Sequence, residues 1–525
     1  MNRLLLTGGL LYDGSGSKPF PADILIGNGK ILQVEPAGKA VFPGVEIKNL
    51  NGLSVSPGWI DPHAHSDASL LAAPEAFGKI SQGITTEISG NCGLSAFPIL
   101  NGEVREHLRI LYSAYDIDPD WTDFRSYAAE LAARHPAVNT VFLCGHNTLR
   151  ANIAGYRQRE LSADQLTAMN SLLAENLEQG ARGLSTGLLY TPGCFSEEAE
   201  LLSLLRTAAS FHGIYATHLR NEGDRLEEAV KEAVHLAEQS GIALQISHLK
   251  TALPRNWHKL ETVLEMIQAA RQRGVAVRAD RYPYTFSQTS LSIVLDQPYD
   301  KMTDQAIGEV LRNDPAAFEQ ALKQLTASGR DWNRVILSRS GAAAAEGLNG
   351  MTVADAAVKT GKTPSELVME ILKEDAPGSL AAFGGMSEDN MKRILKQEWT
   401  CCGTDETARP ADDSLGLSHP RGFGSFPTFI RILRKEGVPM EEIIRKLTSL
   451  PAEIFRLTDR GLIQPGRNAD LTIFQEEELD SPADFRQPHL PAQGIRMVYV
   501  NGTAAYDGIT KKVTARAGKT AGPAM

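Results

Sequence analysis

Cysteine is scarce in this chain, and no two cysteines have the Cys-x-x-Cys spacing of a zinc ribbon. The 525 residues contain five thiols, at Cys92, Cys144, Cys194, Cys401 and Cys402. Their odd number and wide spacing argue against a disulfide framework and favour reduced thiols. Long apolar runs are also missing, because the leucines at 4–6 are followed at once by glycines and no stretch approaches the length of a membrane span. We therefore expect a cytoplasmic protein with no membrane partner.

An excess of positive charge is absent as well. The chain has 53 Lys and Arg against 63 Asp and Glu, a formal net charge of −10. This balance argues against nucleic acid as a partner, although local charge can still suit a small anionic substrate. The hydrophobic fraction of 42% is typical of a globular protein, and the length allows one large domain and a smaller one.

In the middle of the chain, short apolar segments alternate with stretches of helical periodicity. We predict helices over 161–180, 196–212, 225–241 and 259–274. We predict strands over 54–61, 83–89, 139–144, 183–185, 214–218, 243–248, 275–280 and 400–405. Eight such strands indicate an α/β fold, a (β/α)₈ TIM-like barrel. The gap before the last strand is too long for one crossover helix, which predicts an insertion over about 285–350 that acts as a lid.

The two ends of the chain resemble each other. LLLTGGLLYDG at 4–14 and VYVNGTAAYDG at 498–508 both suggest a strand, a glycine turn and a second strand. We predict a small β-sandwich domain built from both termini, residues 1–56 and 459–525, beside a barrel over 57–458. Two unrelated hairpins are the alternative.

Side chains that bind metals stand where several of the predicted strands end. His63 and His65 follow the first strand, Cys92 follows the second, and His218 and His248 end the fifth and sixth. Strand ends converge on one face of such a barrel, so these residues could share one site. Imidazole and thiolate are zinc ligands. A polar strand end, a buried thiol or a core histidine is the alternative for each residue taken alone.

Four further residues could serve the chemistry of such a site. Asp405 ends the eighth strand, which suits a general base, although it could merely cap a helix. Lys250 follows His248 by two residues, and Tyr190 and Tyr282 follow other strands. A cation with phenolic hydroxyls suits a substrate carboxylate. A surface lysine and packed tyrosines are the alternative.

Longer motifs give the chain a family resemblance. It resembles the amidohydrolase superfamily and, within it, the N-acyl-D-amino-acid deacylases, or D-aminoacylases. The matching stretches are PGWIDPHAHSD (57–67), GITTEISGNCGLS (83–95), GHNTLR (145–150), GLSTGLLYTPG (183–193), THLRNEG (217–223), SHLK (247–250), DRYPYT (280–285), SHPRGFGSFP (418–427) and GLIQPGRNADLTIF (461–474). Their order and spacing run over nearly the whole chain.

The resemblance implies zinc-dependent hydrolysis of the amide bond of a small N-acyl-D-amino acid. It implies one tight zinc position and leaves open a second, weaker position that could instead serve catalysis. These are formed by Cys92, His218 and His248, and by His63, His65 and Asp405, respectively. It also implies that Asp405 shuttles the proton and that Lys250, Tyr190 and Tyr282 bind the substrate carboxylate.

Two other functions are possible for a chain with this resemblance, and two residues differ from the family pattern. A cyclic amidohydrolase of the hydantoinase or dihydroorotase kind is disfavoured, because Cys92 stands where many relatives carry a carboxylated lysine. A catalytically silent scaffold is disfavoured because the metal and acid residues are all retained. Glu406 stands where relatives usually have glycine, and Glu87 where they are usually aliphatic. Both could reshape the acyl or side-chain pocket.

Overall fold

The computed structural model describes residues 3–39, 44–157 and 160–521. Within these ranges the chain forms 21 β-strands and 17 α-helices. The strands are β1 (Arg3–Leu11), β2 (Phe20–Gly27), β3 (Lys30–Pro36), β4 (Glu46–Asn49), β5 (Ser54–Pro57), β6 (Trp59–Asp61), β7 (Ile84–Ser89), β8 (Asn139–Phe142), β9 (Cys144–Gly145), β10 (Gly183–Gly187), β11 (Ile214–His218), β12 (Ala243–Ile246), β13 (Val277–Asp280), β14 (Phe286–Ser290), β15 (Val335–Arg339), β16 (Leu380–Gly384), β17 (Thr400–Cys401), β18 (Leu471–Phe474), β19 (Ile495–Val500), β20 (Thr503–Asp507) and β21 (Lys512–Val513).

The helices are α1 (Ser69–Ala72), α2 (Phe77–Ile80), α3 (Gly102–Leu111), α4 (Phe124–Ala133), α5 (His146–Ala154), α6 (Ala163–Gln179), α7 (Glu198–Ser210), α8 (Leu226–Ser240), α9 (Leu260–Gln272), α10 (Asp304–Asn313), α11 (Pro315–Ala327), α12 (Val353–Thr360), α13 (Pro364–Asp375), α14 (Glu388–Lys396), α15 (Arg421–Lys435), α16 (Met440–Leu447) and α17 (Ser449–Ile454). None of these described helices is long and apolar enough to cross a membrane.

Parallel strands form the predicted barrel. One run pairs β6, β7 and β8, and the other pairs β9, β10, β11, β12, β13 and β17. The strands β8 and β9 are two parts of one barrel strand, separated at Leu143. The barrel closes where the first and eighth strands end, because Asp405 N donates to His63 O at 2.8 Å and Ala64 bridges Glu406 in parallel.

The four predicted helices are confirmed within two residues at each end, as α6, α7, α8 and α9. Helix α6 shows why the pattern is reliable. Ser162 caps it by accepting from Gln165 N in a capping box, and Met169, Leu173 and Leu177 form its buried stripe. Helices of this kind surround the strands, as a TIM barrel requires.

Several predicted strand limits were wrong. The first predicted strand is two strands, β5 and β6, which belong to different sheets and are separated at Gly58. The sixth and eighth strands end at Ile246 and Cys401, before the side chains that were assigned to their ends. His248 and Asp405 have φ values of 35° and 53°, and a left-handed residue cannot continue an extended strand.

A nine-stranded sheet is built from both ends of the described chain, with β18, from the C-terminal part, paired to β5. The C-terminal repeat forms the predicted hairpin of β19 and β20. The N-terminal repeat does not, because β1 is one continuous strand with a bulge between Leu6 and Gly9. Gly8 has φ +72°, which a bulge uses as readily as a turn does. The predicted domain limits, 1–56 with 459–525 and 57–458, stay a prediction, and 1–2, 40–43 and 522–525 lie outside the described residues.

The insertion between β13 and β17 has a core of its own. Its antiparallel sheet has the order β14-β16-β15, and its apolar cluster runs from Leu291 to Ala381. The insertion therefore extends past the predicted end at about 350. The reason is that its central strand, β16, comes last in the sequence of the insertion.

Candidate functional site

Six side chains that can bind a metal come together where the barrel strands end. They form two groups, and within each group the ligand atoms all lie within 4.8 Å of one another. The groups are His63, His65, Cys92 and Asp405, and Cys92, His218 and His248. Cys92 therefore belongs to both groups. All of these residues except His65 are buried.

The spacing of these atoms fits zinc. Cys92 Sγ lies 3.4 Å from His63 Nε2 and 3.5 Å from His248 Nε2. A sulfur and a nitrogen that share a tetrahedral zinc ion stand about 3.5 Å apart, given Zn–S and Zn–N bonds of about 2.3 and 2.0 Å. His218 adds a buried Nε2 without a hydrogen-bond partner among the described residues. A donor set of imidazoles, a thiolate and a carboxylate is the set that zinc takes in proteins.

The backbone is strained at three of these residues. Cys92, His248 and Asp405 have φ values of 53°, 35° and 53°, in the left-handed region that ordinary residues rarely adopt. The Gly-Asn-Cys-Gly loop permits the turn at Cys92, because a Cβ at Gly93 would lie 2.5 Å from Gly187 N. Such strain is typical of residues that a fold holds for function.

Carboxylates orient two of the imidazoles through contacts with their Nδ1 atoms. Asp280 Oδ1 lies 3.1 Å from His63 Nδ1, and Glu222 Oε1 lies 2.9 Å from His248 Nδ1. Carboxylates on the second ring nitrogen of a ligating histidine fix its tautomer and direct the other nitrogen to the metal. Burial opposes the charge of Glu222, but Lys250, His218 and His248 hold its pKa well below its usual range.

Asp405 lies between the histidines and an arginine. Its Oδ1 is 3.1 Å from His65 Nε2 and 3.3 Å from His63 Nε2, and its Oδ2 accepts from Arg421 Nη1 at 2.7 Å. Burial would raise the pKa of this carboxyl, but Arg421, His248 and His63 hold it well below its usual range. Asp405 is therefore an ionised carboxylate in a buried site.

The three residues predicted to bind a carboxylate line the same cavity as the metal-binding groups. Lys250 Nζ is hydrogen-bonded to Glu222 and lies 2.8 Å from His248 Nδ1. The Tyr190 hydroxyl is 3.3 Å from Thr289 Oγ1. The Tyr282 hydroxyl is buried without a partner among the described residues, so it can bind an incoming group.

The cavity has a volume of about 500 Å³ and is lined by both apolar and polar side chains. Helix α3 contributes the apolar residues Leu108 and Leu111. The insertion contributes the polar residues 287–290 and apolar residues that include Ile293 and Phe383. A concave site with an apolar wall and a few polar groups is typical of small-molecule binding.

The two glutamates that depart from the family pattern have different surroundings. Glu406 lines the cavity, where its Oε2 accepts from Gln288 Nε2 at 3.4 Å and lies 3.8 Å from Arg421 Nε. Glu87 is not among the lining residues. It is fully buried, accepts from Ser66 Oγ at 3.0 Å and lies 3.5 Å from Lys79 Nζ.

Sequence reasoning missed three residues of this site. Asp280 ends a predicted strand as the metal-binding residues do, so the same reasoning could have found it. Glu222 and Arg421 lie within matching motifs, THLRNEG and SHPRGFGSFP, and Glu222 follows His218 by four residues, a spacing that could have drawn attention to it. The contact of Glu222 with His248 joins the ends of two neighbouring strands, and that of Arg421 with Asp405 joins the start of α15 to the residues after β17.

Known proteins are similar to this chain in sequence and in fold over almost their whole length. An N-acyl-D-glutamate deacylase of Alcaligenes xylosoxydans xylosoxydans is 33% identical, over 96% of this chain and 93% of that protein. A D-aminoacylase of the same organism is 31% identical, over 96% of this chain and 94% of that protein. The structure of the N-acyl-D-glutamate deacylase from Bordetella bronchiseptica with zinc and a phosphonate inhibitor superposes with a TM-score of 0.82, at 30% identity over 99% of both chains.

A broader match agrees with these relatives. Residues 46–506, which include the barrel, the insertion and part of the terminal sheet, match the sequence profile of the amidohydrolase family. The chain therefore belongs to the amidohydrolase family.

Proposed function

We propose that this protein is a zinc-dependent deacylase that hydrolyses the amide bond of N-acyl-D-amino acids. The observation that carries the proposal is the convergence of four imidazoles, a carboxylate and a shared thiol, Cys92, with ligand-atom distances that suit zinc. The characterised relatives that match over nearly the whole chain are deacylases of N-acyl-D-amino acids. The products are a free D-amino acid and a carboxylate.

The side chains of the site would have separate roles in metal binding and in proton transfer. Cys92, His218 and His248 would hold the tight zinc, and His63, His65 and Asp405 a second, weaker position or the catalytic group. When bound, zinc polarises the amide carbonyl and makes water more acidic. Asp405 accepts the proton of the attacking water at Oδ1, because Arg421 occupies its Oδ2. Asp405 then donates this proton to the leaving nitrogen.

The substrate carboxylate has a cationic and a phenolic partner. Lys250 and Tyr282 face the cavity beside the metal-binding groups. Lys250 has three N–H donors, and its acceptor among the described residues, Glu222, leaves donors for a ligand. With the carboxylate held there and the carbonyl at the metal, the direction in which the side chain must then point would distinguish the two enantiomers.

A cyclic amidohydrolase remains the second candidate. It is less well supported, because such a ring-opening enzyme would be expected to carry a carboxylated lysine where this chain has Cys92. The polar and apolar side chains that line the cavity also suit a linear substrate with one polar and one apolar end.

The decisive experiment is an assay of the purified protein after metal removal and reloading with Zn²⁺. A panel of N-acetyl-D-amino acids with the matching L-enantiomers, hydantoin and dihydroorotate should give hydrolysis of the D-series alone, and only in the zinc-loaded protein. Opening of the cyclic amides without deacylation would favour the second candidate. Absence of any turnover in the zinc-loaded protein would contradict both.

A further inference from the structure

Two arginines of the insertion face the cavity without an anionic partner. Arg330 precedes β15 and Arg339 ends it, and both line the cavity that holds the metal-binding residues. Within the described ranges, neither guanidinium has a carboxylate oxygen within 4.0 Å. Arg330 Nε and Arg339 Nη1 are both buried and have no hydrogen-bond partner in the part of the chain that the structure describes. A buried donor without an acceptor destabilises a fold unless a ligand or water completes it.

The other cations that line the cavity have more partners among the described residues. Lys250 is paired with Glu222, and Arg421 with Asp405, although Arg421 Nε has no described hydrogen-bond acceptor. Arg409 has no described ion pair, but it donates to Thr407 Oγ1 and to two backbone oxygens. The two insertion arginines are therefore the described lining cations that combine an unpaired charge with a buried donor that lacks an acceptor.

The strand pairing of the insertion sheet links Arg339 to the polar residues 287–290 that line the cavity. Arg339 pairs with Leu380 across the insertion sheet, and Leu380 pairs with Ser290 on the next strand. All three residues line the cavity. The α3 residues that line the cavity, Leu108 and Leu111, are apolar, so an anion beside the insertion meets these guanidinium groups and no competing cation from the α3 lining.

We propose that Arg330 and Arg339 form a subsite for a second carboxylate of the substrate, distinct from the α-carboxylate. This inference rests on the proposed deacylase function and extends it to substrates with a distal acid. The distal acid can lie on the amino-acid side chain, as in an N-acyl-D-glutamate, or on the acyl group, as in an N-succinyl-D-amino acid. Guanidinium groups suit either, because they bind carboxylates through paired N–H donors.

Asp296 acts electrostatically on Arg330 but lies beyond ion-pair distance. Asp304 is the other acidic neighbour that could oppose this role, because it lines the same cavity. Its carboxyl accepts a hydrogen bond from Ser292, and burial raises its pKa. Asp304 is not within ion-pair distance of either arginine, so it does not neutralise them. A ligand carboxylate is therefore the better match for their charge.

Two matched substrate pairs test the subsite in the zinc-loaded enzyme. The first compares N-acetyl-D-glutamate with N-acetyl-D-glutamine, and the second compares N-succinyl-D-alanine with its neutral succinamoyl analogue. In each pair only the distal charge changes. We expect the acid of at least one pair to exceed its amide in kcat/KM by about tenfold or more, and the pair that does so identifies the source of the carboxylate.

Substitution then assigns the effect to these residues. Arg330→Met and Arg339→Met should each lower kcat/KM for the preferred acid by about ten- to a hundredfold and leave its amide within about threefold. Arg334→Met is the matched control, because Arg334 is in the same insertion, is half exposed and is paired with Asp331 at 3.1 Å. If a methionine variant fails to fold, Arg339→Gln repeats the test with a polar side chain.

The outcomes separate this inference from the proposed function. Equal turnover of acid and amide in both pairs by the parent enzyme would overturn the subsite and leave the deacylase function intact. An equal loss for acid and amide in the arginine variants would overturn it as well. No turnover of any N-acyl-D-amino acid by the zinc-loaded parent enzyme would overturn the function and the subsite together.

Discussion

Lys79 Nζ lies 2.8 Å from Asp61 Oδ2, and this fully buried ion pair joins helix α2 to the end of the first barrel strand. The same ammonium group donates to Thr404 Oγ1 at 2.7 Å and to Glu406 O at 2.8 Å. Thr404 N and Oγ1 both donate to the Asp61 carboxylate. Since Thr404 and Glu406 flank Asp405, the pair holds the proposed catalytic carboxylate from both sides along the chain.

Lys79→Met should destabilise the protein strongly. Removal of one partner of a buried ion pair costs about 3–5 kcal/mol, because the other charge stays buried and unpaired. The free energy of unfolding, measured by urea denaturation, should fall by that amount. Lys392→Met is the control, since Lys392 forms a surface pair with Glu388 and its loss should change stability far less. Similar losses in both variants would contradict the role of Lys79.

Glu87 should make stability fall as pH rises. Burial raises the pKa of this carboxyl from 4.5 to about 7, although Lys79 opposes the rise. Between these values the unfolded chain is ionised at Glu87 while the folded protein keeps the proton. The free energy of unfolding therefore decreases by up to about 1.4 kcal/mol per pH unit from this group alone.

Glu87→Gln removes this dependence. The variant should become more stable relative to the parent protein as pH increases from 5 to 8, in melting or denaturant experiments. Glu130→Gln, on the exposed face of α4, should leave the pH profile of stability unchanged. A stability difference between Glu87→Gln and the parent that does not vary with pH would show that Glu87 is ionised throughout the range.

Asp405→Asn should keep its tight zinc and lose turnover. The amide fills the same space but cannot accept the proton of the attacking water. Loss of a positioned base commonly costs about 10²–10⁴ in rate. Steady-state kinetics on the metal-loaded variant measures the effect, with Asp412→Asn on an exposed loop as control. Turnover near the parent value would remove Asp405 from the proposed role.

Cys92→Ala should lose most of the tightly bound zinc. A thiol that belongs to both groups of ligands cannot be replaced by water without loss of affinity. Elemental analysis after dialysis measures the zinc, and circular dichroism checks that the barrel remains folded. Cys194→Ala, outside both groups, should retain the metal. Full occupancy in Cys92→Ala would mean that Cys92 is a buried thiol and no ligand.

Lys250→Met should weaken the use of substrates with a free α-carboxylate. A charge-assisted hydrogen bond contributes about 1.5–3 kcal/mol, so kcat/KM should fall by about ten- to a hundredfold. The loss should be smaller for an analogue in which a neutral amide replaces the α-carboxylate. Because Lys250 also contacts Glu222 and His248, zinc content is measured in parallel. Equal losses for acid and amide would indicate that Lys250 acts through the metal site.

The residues that are candidate metal ligands could be identified from the sequence, but the backbone conformation at those residues could not be predicted. Periodicity located the helices to within two residues and indicated eight strands. It placed His248 and Asp405 within strands, whereas both lie beyond strand ends with positive φ. A left-handed residue leaves no trace in a hydrophobic pattern when it is not glycine. The turns that follow these two strands therefore became visible only in the structure.

The sequence by itself determined the alternation of strands and helices, and with it the order in which metal-binding side chains reach one face of a barrel. This follows because periodicity and chain order are local properties that burial turns into a fold. Tertiary structure alone decided the partners of those side chains: Glu222 behind His248, Arg421 on Asp405, and Lys79 across the barrel closure. These are pairings of charges far apart in sequence, and no local pattern specifies which charges meet when buried.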